Sequence, residues 1–233
     1  MPLSTIKDFF FPRSCILCNQ KLEQSEQAIC SSCLVELNYT NLGNSPSNDF
    51  EKIFWANVPV CRATSLLYYE RNDLSAEILF HMKYAGRKDI CLQMGKIFAD
   101  RLKPTGFFQD IDLIIPVPLH PNRLRRRGYN QVELLAEGVS RQTGIPVCTS
   151  AIVRTQDNAT QTKKSFAIRH ANPGENQPNL FSPTPESDEI LRGNHVLVMD
   201  DVLTSGTTLI SCAQTVMNVP DITLSFATLA WSI

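Results

Sequence analysis

Two adjacent carboxylates, Asp200 and Asp201, follow four apolar residues in the run VLVMDDVLTSGTTL, Val196–Leu209. The apolar residues read as a buried parallel strand, and the residues beyond the acids open a helix. A strand ending in two acids sets acceptors at the carboxyl edge of an open α/β sheet, where such folds bind ligands. Ribose hydroxyls suit such acceptors. The loop of Thr204, Ser205, Gly206, Thr207 and Thr208 then offers hydroxyls, consecutive backbone N–H groups and a helix N-terminus, which together cradle an anion. The stretch reads as a ribose-phosphate site, although a βα turn can also carry acids and a glycine for structural reasons alone.

Positive charge gathers at two other places. The buried strand Asp112–Val117, DLIIPV, runs into Pro118, Leu119, His120 and Pro121 and then into RLRRRGYNQ, Arg123–Gln131. The helix after it places Val132, Leu135, Ala136 and Val139 on one face, so Arg123–Asn130 is expected as a loop at the strand's carboxyl end. That is the sheet edge of the two acids. Guanidinium groups there suit phosphate, while charge runs also commonly form a solvated face. The second basic stretch, Gln156–Asn172, carries Lys163, Lys164 and Arg169 with little periodicity. An unpatterned loop of that length inside a compact domain reads as a mobile lid or as a plain surface loop.

Eight cysteines divide into two groups. Cys15, Cys18, Cys30 and Cys33 form a CxxC…CxxC pair whose turns can each direct two thiolates at one tetrahedral zinc. A disulfide pair or free thiols would use the same spacing. Cys61, Cys91, Cys148 and Cys212 are scattered, and Cys148 and Cys212 read as small buried residues. His81, His170 and His195 have no carboxylate or cysteine partner at a telling spacing, and His120, beside the basic run, could contact phosphate but reads more readily as a structural residue.

The elements that must position these groups fit a chain of 233 residues, 43% hydrophobic and 19% charged: one α/β domain with a small appendage. An amphipathic piece with Ile6, Phe9 and Phe10 and the cysteine ribbon fill residues 1–37. Residues 38–50, rich in Asn, Ser, Gly and Pro, read as a linker. Residues 51–233 form the main domain, with a hood and entry elements over 51–110 and the core over 111–233. Ala63–Tyr69 reads as a strand, Leu74–Met82 and Ile90–Leu102 as helices, Ala151–Arg154 as strand-like and Pro173–Glu189 as irregular. His195–Met199 and Thr223–Ala230 read as strands around a helix at Thr207–Asn218. No apolar run reaches a transmembrane length, and the start MPLSTIKDFFFPRSC lacks a secretory leader, so a cytoplasmic protein without membrane insertion is expected. A net charge of −1 excludes coating of nucleic acid through a global field and leaves polyanion contacts local.

The DD-TSGTT stretch resembles the phosphoribosyl pyrophosphate (PRPP) motif of type I phosphoribosyltransferases. With the CxxC pairs, HMKYAGRKD at His81–Asp89, IPVPLHPNRLRRRGYNQ at Ile115–Gln131 and TQTKKSFAIRHAN at Thr160–Asn172, the chain resembles the ComF/GntX family. The resemblance implies a type I phosphoribosyltransferase-like parallel sheet flanked by helices, with a small N-terminal zinc ribbon. It assigns Asp200 and Asp201 to the ribose and its Mg2+, and Thr204–Thr208 to the 5′-phosphate. It assigns Val117, Pro118, Leu119, Arg123, Arg125 and Arg127 to the pyrophosphate, and Lys163, Lys164 and Arg169 to a flexible loop. It also implies a role in natural competence or DNA utilisation, with single-stranded DNA and other competence or DNA-processing proteins as partners. Tyr129 is then expected to offer a face for base stacking. The alternative is an active phosphoribosyltransferase that salvages a nucleobase and releases pyrophosphate.

Overall fold

A computed structural model describes residues 13–156 and 180–233. Ile6, Phe9 and Phe10, and the basic loop residues Lys163, Lys164 and Arg169, lie outside the described residues. The described strands are β1 Ala63–Tyr69, β2 Leu113–Pro116, β3 Ile152–Arg154, β4 Phe181–Pro183, β5 His195–Leu203 and β6 Thr223–Ser232. The described helices are α1 Ser31–Glu36, α2 Asp49–Lys52, α3 Leu74–Tyr84, α4 Lys88–Leu102, α5 Pro121–Arg127, α6 Gln131–Thr143, α7 Ser187–Leu191 and α8 Thr207–Val216. β1, β6, β5 and β2 pair in that order into one parallel sheet, and β3 and β4 form a separate antiparallel ribbon.

Both faces of the parallel sheet are buried, which is why its strands read as apolar runs. Leu197, Met199, Ala227 and Leu229 pack on one side with α3, α4, α6 and the cysteine ribbon. Val196, Val198, Leu224 and Phe226 pack on the other with α2, α8 and the β3–β4 ribbon. Parallel neighbours require crossovers, and α8 supplies the one from β5 to β6. The carboxyl ends of all four strands therefore share one edge.

Helices α4 and α6 cross through two glycines. A Cβ on Gly95 would sit 2.2 Å from the Leu135 carbonyl oxygen, and one on Gly138 would sit 2.5 Å from that of Leu92. The crossing sets how closely α6, which begins at Gln131, approaches β5.

Three expectations change. The stretch read as a linker lies along β1: Thr40 N–H donates to the Leu66 carbonyl at 3.0 Å, and Asn48 Nδ2 to the Ala63 carbonyl at 3.0 Å. Buried Glu51 accepts from Ala63 N–H at 3.0 Å. β1 is thus an edge strand of the core sheet, supplied by the segment assigned to the hood. The basic run expected as a loop is largely the helix α5: His120 caps it through Nδ1, Pro121 occupies its first turn and Gly128 ends it at φ 81°. Part of the stretch read as irregular before β5 is regular, as β4 and α7.

Candidate functional site

β5 does not end at the acids but runs two residues further, to Leu203, paired with β6 through Ala230 and Trp231. Side chains alternate along a strand, so neighbouring acids leave it on opposite faces. Asp201 continues the row of Leu197 and Met199, toward α3 and α6. It is 5% exposed. Lys83 Nζ lies 2.9 Å from its Oδ1, and Gln131 Nε2 donates to its Oδ2. Arg127 donates in turn to Gln131 Oε1, which makes a chain from the basic helix to the acid.

Asp200 continues the row of Val196 and Val198, toward α8 and β3, and remains half-buried. Its Oδ1 accepts from Asp201 N–H at 2.8 Å. Desolvation, with the Asp201 charge second, pushes its carboxyl up to about 7, while Lys83 and buried Arg154 pull in the opposite direction. The pair is therefore asymmetric. Asp201 is committed to protein partners, and Asp200 is the acceptor presented at the edge.

Past Leu203 the hydroxyl loop stands at the carboxyl end of β5. Thr204, Ser205 and Thr207 are exposed, and the Ser205 and Thr207 hydroxyls lie 2.9 Å apart. Gly206 precedes α8 at φ 77°, and a Cβ there would meet Ile53 Cγ2 at 3.0 Å. Only glycine satisfies both that backbone and that neighbour. The first turn of α8 leaves N–H groups without intrahelical partners, beside Thr207 and Thr208.

Val117 is buried, with its N–H on the Met199 carbonyl at 2.8 Å, and Pro118 and Leu119 continue from β2 toward α5. The three arginines assigned with them do not act alike. Arg127 reaches the Asp201 network and lies over the Tyr84 ring at 5.6 Å, Arg125 is exposed, and Arg123 is half-buried. Tyr129 offers no stacking face. It is 8% exposed, and its hydroxyl donates to the Met82 carbonyl at 2.6 Å.

Sequence reasoning marks the segments holding Lys83 and Gln131 but gives neither residue a role, and it passes over Arg154. A lysine one residue from the end of α3 and an amide opening α6 carry no local signal for a carboxylate on β5. Arg154 closes the stretch read as strand-like, and its burial becomes visible only in the structure.

Cys15, Cys18, Cys30 and Cys33 come together with their sulfurs within 4.8 Å of one another, a cluster that could hold a metal ion. Burial and the neighbouring sulfurs hold the Cys33 thiol well above its ordinary range. Opposing burial, N–H groups of Cys30, Cys18 and Leu17 bring Cys15 down to about 7. The ribbon is fastened to α4 by buried Gln93, which accepts from Ala28 N–H at 3.0 Å and donates to the Ile29 carbonyl at 3.5 Å. Of the scattered cysteines, Cys212 and Cys91 are buried, Cys148 is half-exposed rather than buried, and Cys61 is exposed. No described helix is long and apolar enough to cross a membrane.

Residues 132–227 match the phosphoribosyl transferase domain family, a span that holds both acids and the hydroxyl loop. The DNA utilization protein YhgH of Escherichia coli O157:H7 is 31% identical over 140 residues, 59% of this chain and 58% of that protein. Competence protein F of Haemophilus influenzae is 38% identical over 98 residues, 42% of this chain and 41% of that protein. Competence protein ComFC of Bacillus subtilis is 28% identical over 144 residues, 60% of this chain and 52% of that protein. The chain thus spans less than two thirds of the length of these relatives. The match to the phosphoribosyl transferase domain family and the likeness to competence and DNA utilization proteins agree with the resemblance to the ComF family read from the sequence.

Proposed function

We propose that the chain binds PRPP together with Mg2+ at the carboxyl edge of the sheet, and that it serves DNA uptake or DNA utilisation by handling imported single-stranded DNA in the cytoplasm. The observation that carries the reading is the asymmetric pair on β5. Lys83 and Gln131 hold Asp201 in place, so that Asp200 is presented beside the Thr204–Thr208 loop as an acceptor for ribose hydroxyls. The loop's hydroxyls and the start of α8 take the 5′-phosphate. Val117, Pro118 and Leu119, with Arg127 and the arginines before it, face the diphosphate. Bound Mg2+ would spread the charge of the diphosphate and ribose oxygens. Arg127, already joined to Gln131, moves cation density toward a departing pyrophosphate if transfer occurs. The DNA role rests on the names of the relatives and on the exposed arginines of α5.

Zinc fits the four cysteines. Sulfurs about 2.3 Å from a tetrahedral zinc stand about 3.8 Å apart, and Cys18 and Cys30 already stand at 3.7 Å. Its role there is structural.

The test is calorimetry with magnesium and PRPP. Exchanging both acids for Asn would strip Lys83 of its partner, so the informative variant is Asp200→Asn alone. We expect affinity to fall about tenfold or more, the scale of a lost charge-assisted hydrogen bond. Unchanged affinity in a variant that still unfolds cooperatively would overturn the assignment. Labelled PRPP offered with each nucleobase then separates the salvage alternative, which requires pyrophosphate release tied to one base.

A further inference from the structure

Helix α3 leaves two large aromatic side chains in solvent on one face. Phe80 is 53% exposed and Tyr84 is 68% exposed. They stand one helical turn apart with ring centroids at 5.7 Å, and the His81 ring meets Phe80 edge-on at 5.9 Å. Rings of this size are ordinarily buried, and two adjoining ones in water mark a surface that something covers.

The surroundings indicate what covers it. Arg127 lies over Tyr84 at 5.6 Å while donating to Gln131, so one guanidinium joins the aromatic face to the Asp201 network. Arg125 and Arg126 are exposed on the same short helix, and Lys88 stands at the start of α4 over the ring of Tyr129. The nearby acids Glu77 and Asp89 are occupied by His81 and Arg87. Exposed rings interleaved with guanidinium groups complement a ligand that carries flat π-faces on an anionic backbone.

We infer that Phe80 and Tyr84 form a base-stacking platform for single-stranded DNA, with Arg125, Arg126 and Arg127 along the phosphates beside it. This inference rests on the DNA reading proposed above and adds to it the surface that does the binding. The platform takes the place of Tyr129, which is buried. Stacking is indifferent to base identity, so the surface would grip a strand without reading its sequence.

The experiment compares the wild-type chain with Phe80→Ala/Tyr84→Ala and with Arg125→Ala/Arg126→Ala. Binding of a fluorescent single-stranded oligonucleotide is followed by anisotropy over a salt series, alongside the same oligonucleotide made abasic. The aromatic double variant should bind about tenfold or more weakly with an unchanged salt slope, because stacking releases no counterions. The arginine variant should flatten the slope. The abasic strand should bind the wild-type chain as weakly as the intact strand binds the aromatic variant. Tyr84→Phe should retain binding.

A wild-type chain that takes up magnesium and PRPP but no single strand would sink the DNA reading, and this surface with it. Strand binding that survives the aromatic double change intact would remove the platform alone. A change in sedimentation mass in that variant would make the face a contact between copies, and a lowered thermal midpoint with full DNA binding would make it a face covered by the chain itself. Either result overturns the inference.

Discussion

A carboxyl pushed up by burial and by a neighbouring acid costs the folded state more as the pH rises, and Asp200 is in that position with its carboxyl at about 7. In the unfolded chain an aspartate titrates near its ordinary value of about 3.9. Between these two values the folded protein binds the proton that the unfolded chain has released, so this residue's contribution to stability falls as pH climbs from about 4 to about 7 and is flat above. Asparagine carries no charge at any of these pH values. Asp200→Asn should therefore melt higher than the wild-type chain at pH 8, with a clearly smaller difference at pH 5. Thermal midpoints at the two pH values measure this, and a difference that is equal or larger at pH 5 would show that the residue is not strained in the native site. The variant predicted to lose PRPP is thus the one predicted to gain stability, as expected where binding chemistry sets the environment. At this scale the sequence marks the two acids but not how they differ. Alternation along a strand separates Asp200 from Asp201, and that argument needed β5 to continue past them, which Val202 and Leu203 make it do.

Elements were most legible where their apolar pattern was strongest. β1 matches its expected span residue for residue, and α6 buries the four residues expected on its inner face. The basic run was read as a loop because its charge hid the helix signals around it: a capping His120, a proline in the first turn and Gly128 after the last. The docking of residues 38–52 on β1 was illegible for a different reason. It depends on the side chains of Asn48 and Glu51 meeting backbone groups of a strand more than ten residues away, and composition reports nothing of that kind. The α4–α6 crossing was equally hidden, and it yields a firm expectation. A methyl group on Gly138 would meet Gly95 Cα at 2.9 Å as well as the Leu92 carbonyl, and neither backbone can yield without separating the helices. Gly138→Ala should cost about 1–3 kcal/mol by overpacking and lower the melting midpoint by about 2–4 °C per kcal/mol in a chain of this size. It should also weaken PRPP binding, because α6 carries Gln131 to Asp201. A native midpoint in this variant would mean that the helices do not cross this closely.

Over the whole molecule, the ribbon is part of the main core. Cys15, Ala28, Ile29 and Leu37 are buried in the same apolar cluster as Ile78 on α3, Ile90 and Met94 on α4 and Leu197 on β5. Two devices hold it there: the metal proposed at the four sulfurs, and the Gln93 amide that satisfies one donor and one acceptor of the ribbon backbone. They can be separated by experiment. Elemental analysis should find one zinc per chain, and Cys15→Ser/Cys30→Ser should abolish it, because structural zinc sites need their full set of thiolates. Stripping the ion with a strong chelator should speed hydrogen exchange across residues 28–37 and along the ribbon-facing side of α4, while amides of β5 and β6 stay protected beneath both layers. Gln93→Leu should do something different. It should keep the zinc, since no sulfur is touched, yet speed exchange at Ala28, whose N–H loses its buried acceptor. Ribbon amides that remain protected after the ion is gone would assign the fastening to packing alone, and loss of zinc in Gln93→Leu would show that docking and metal binding form a single cooperative unit.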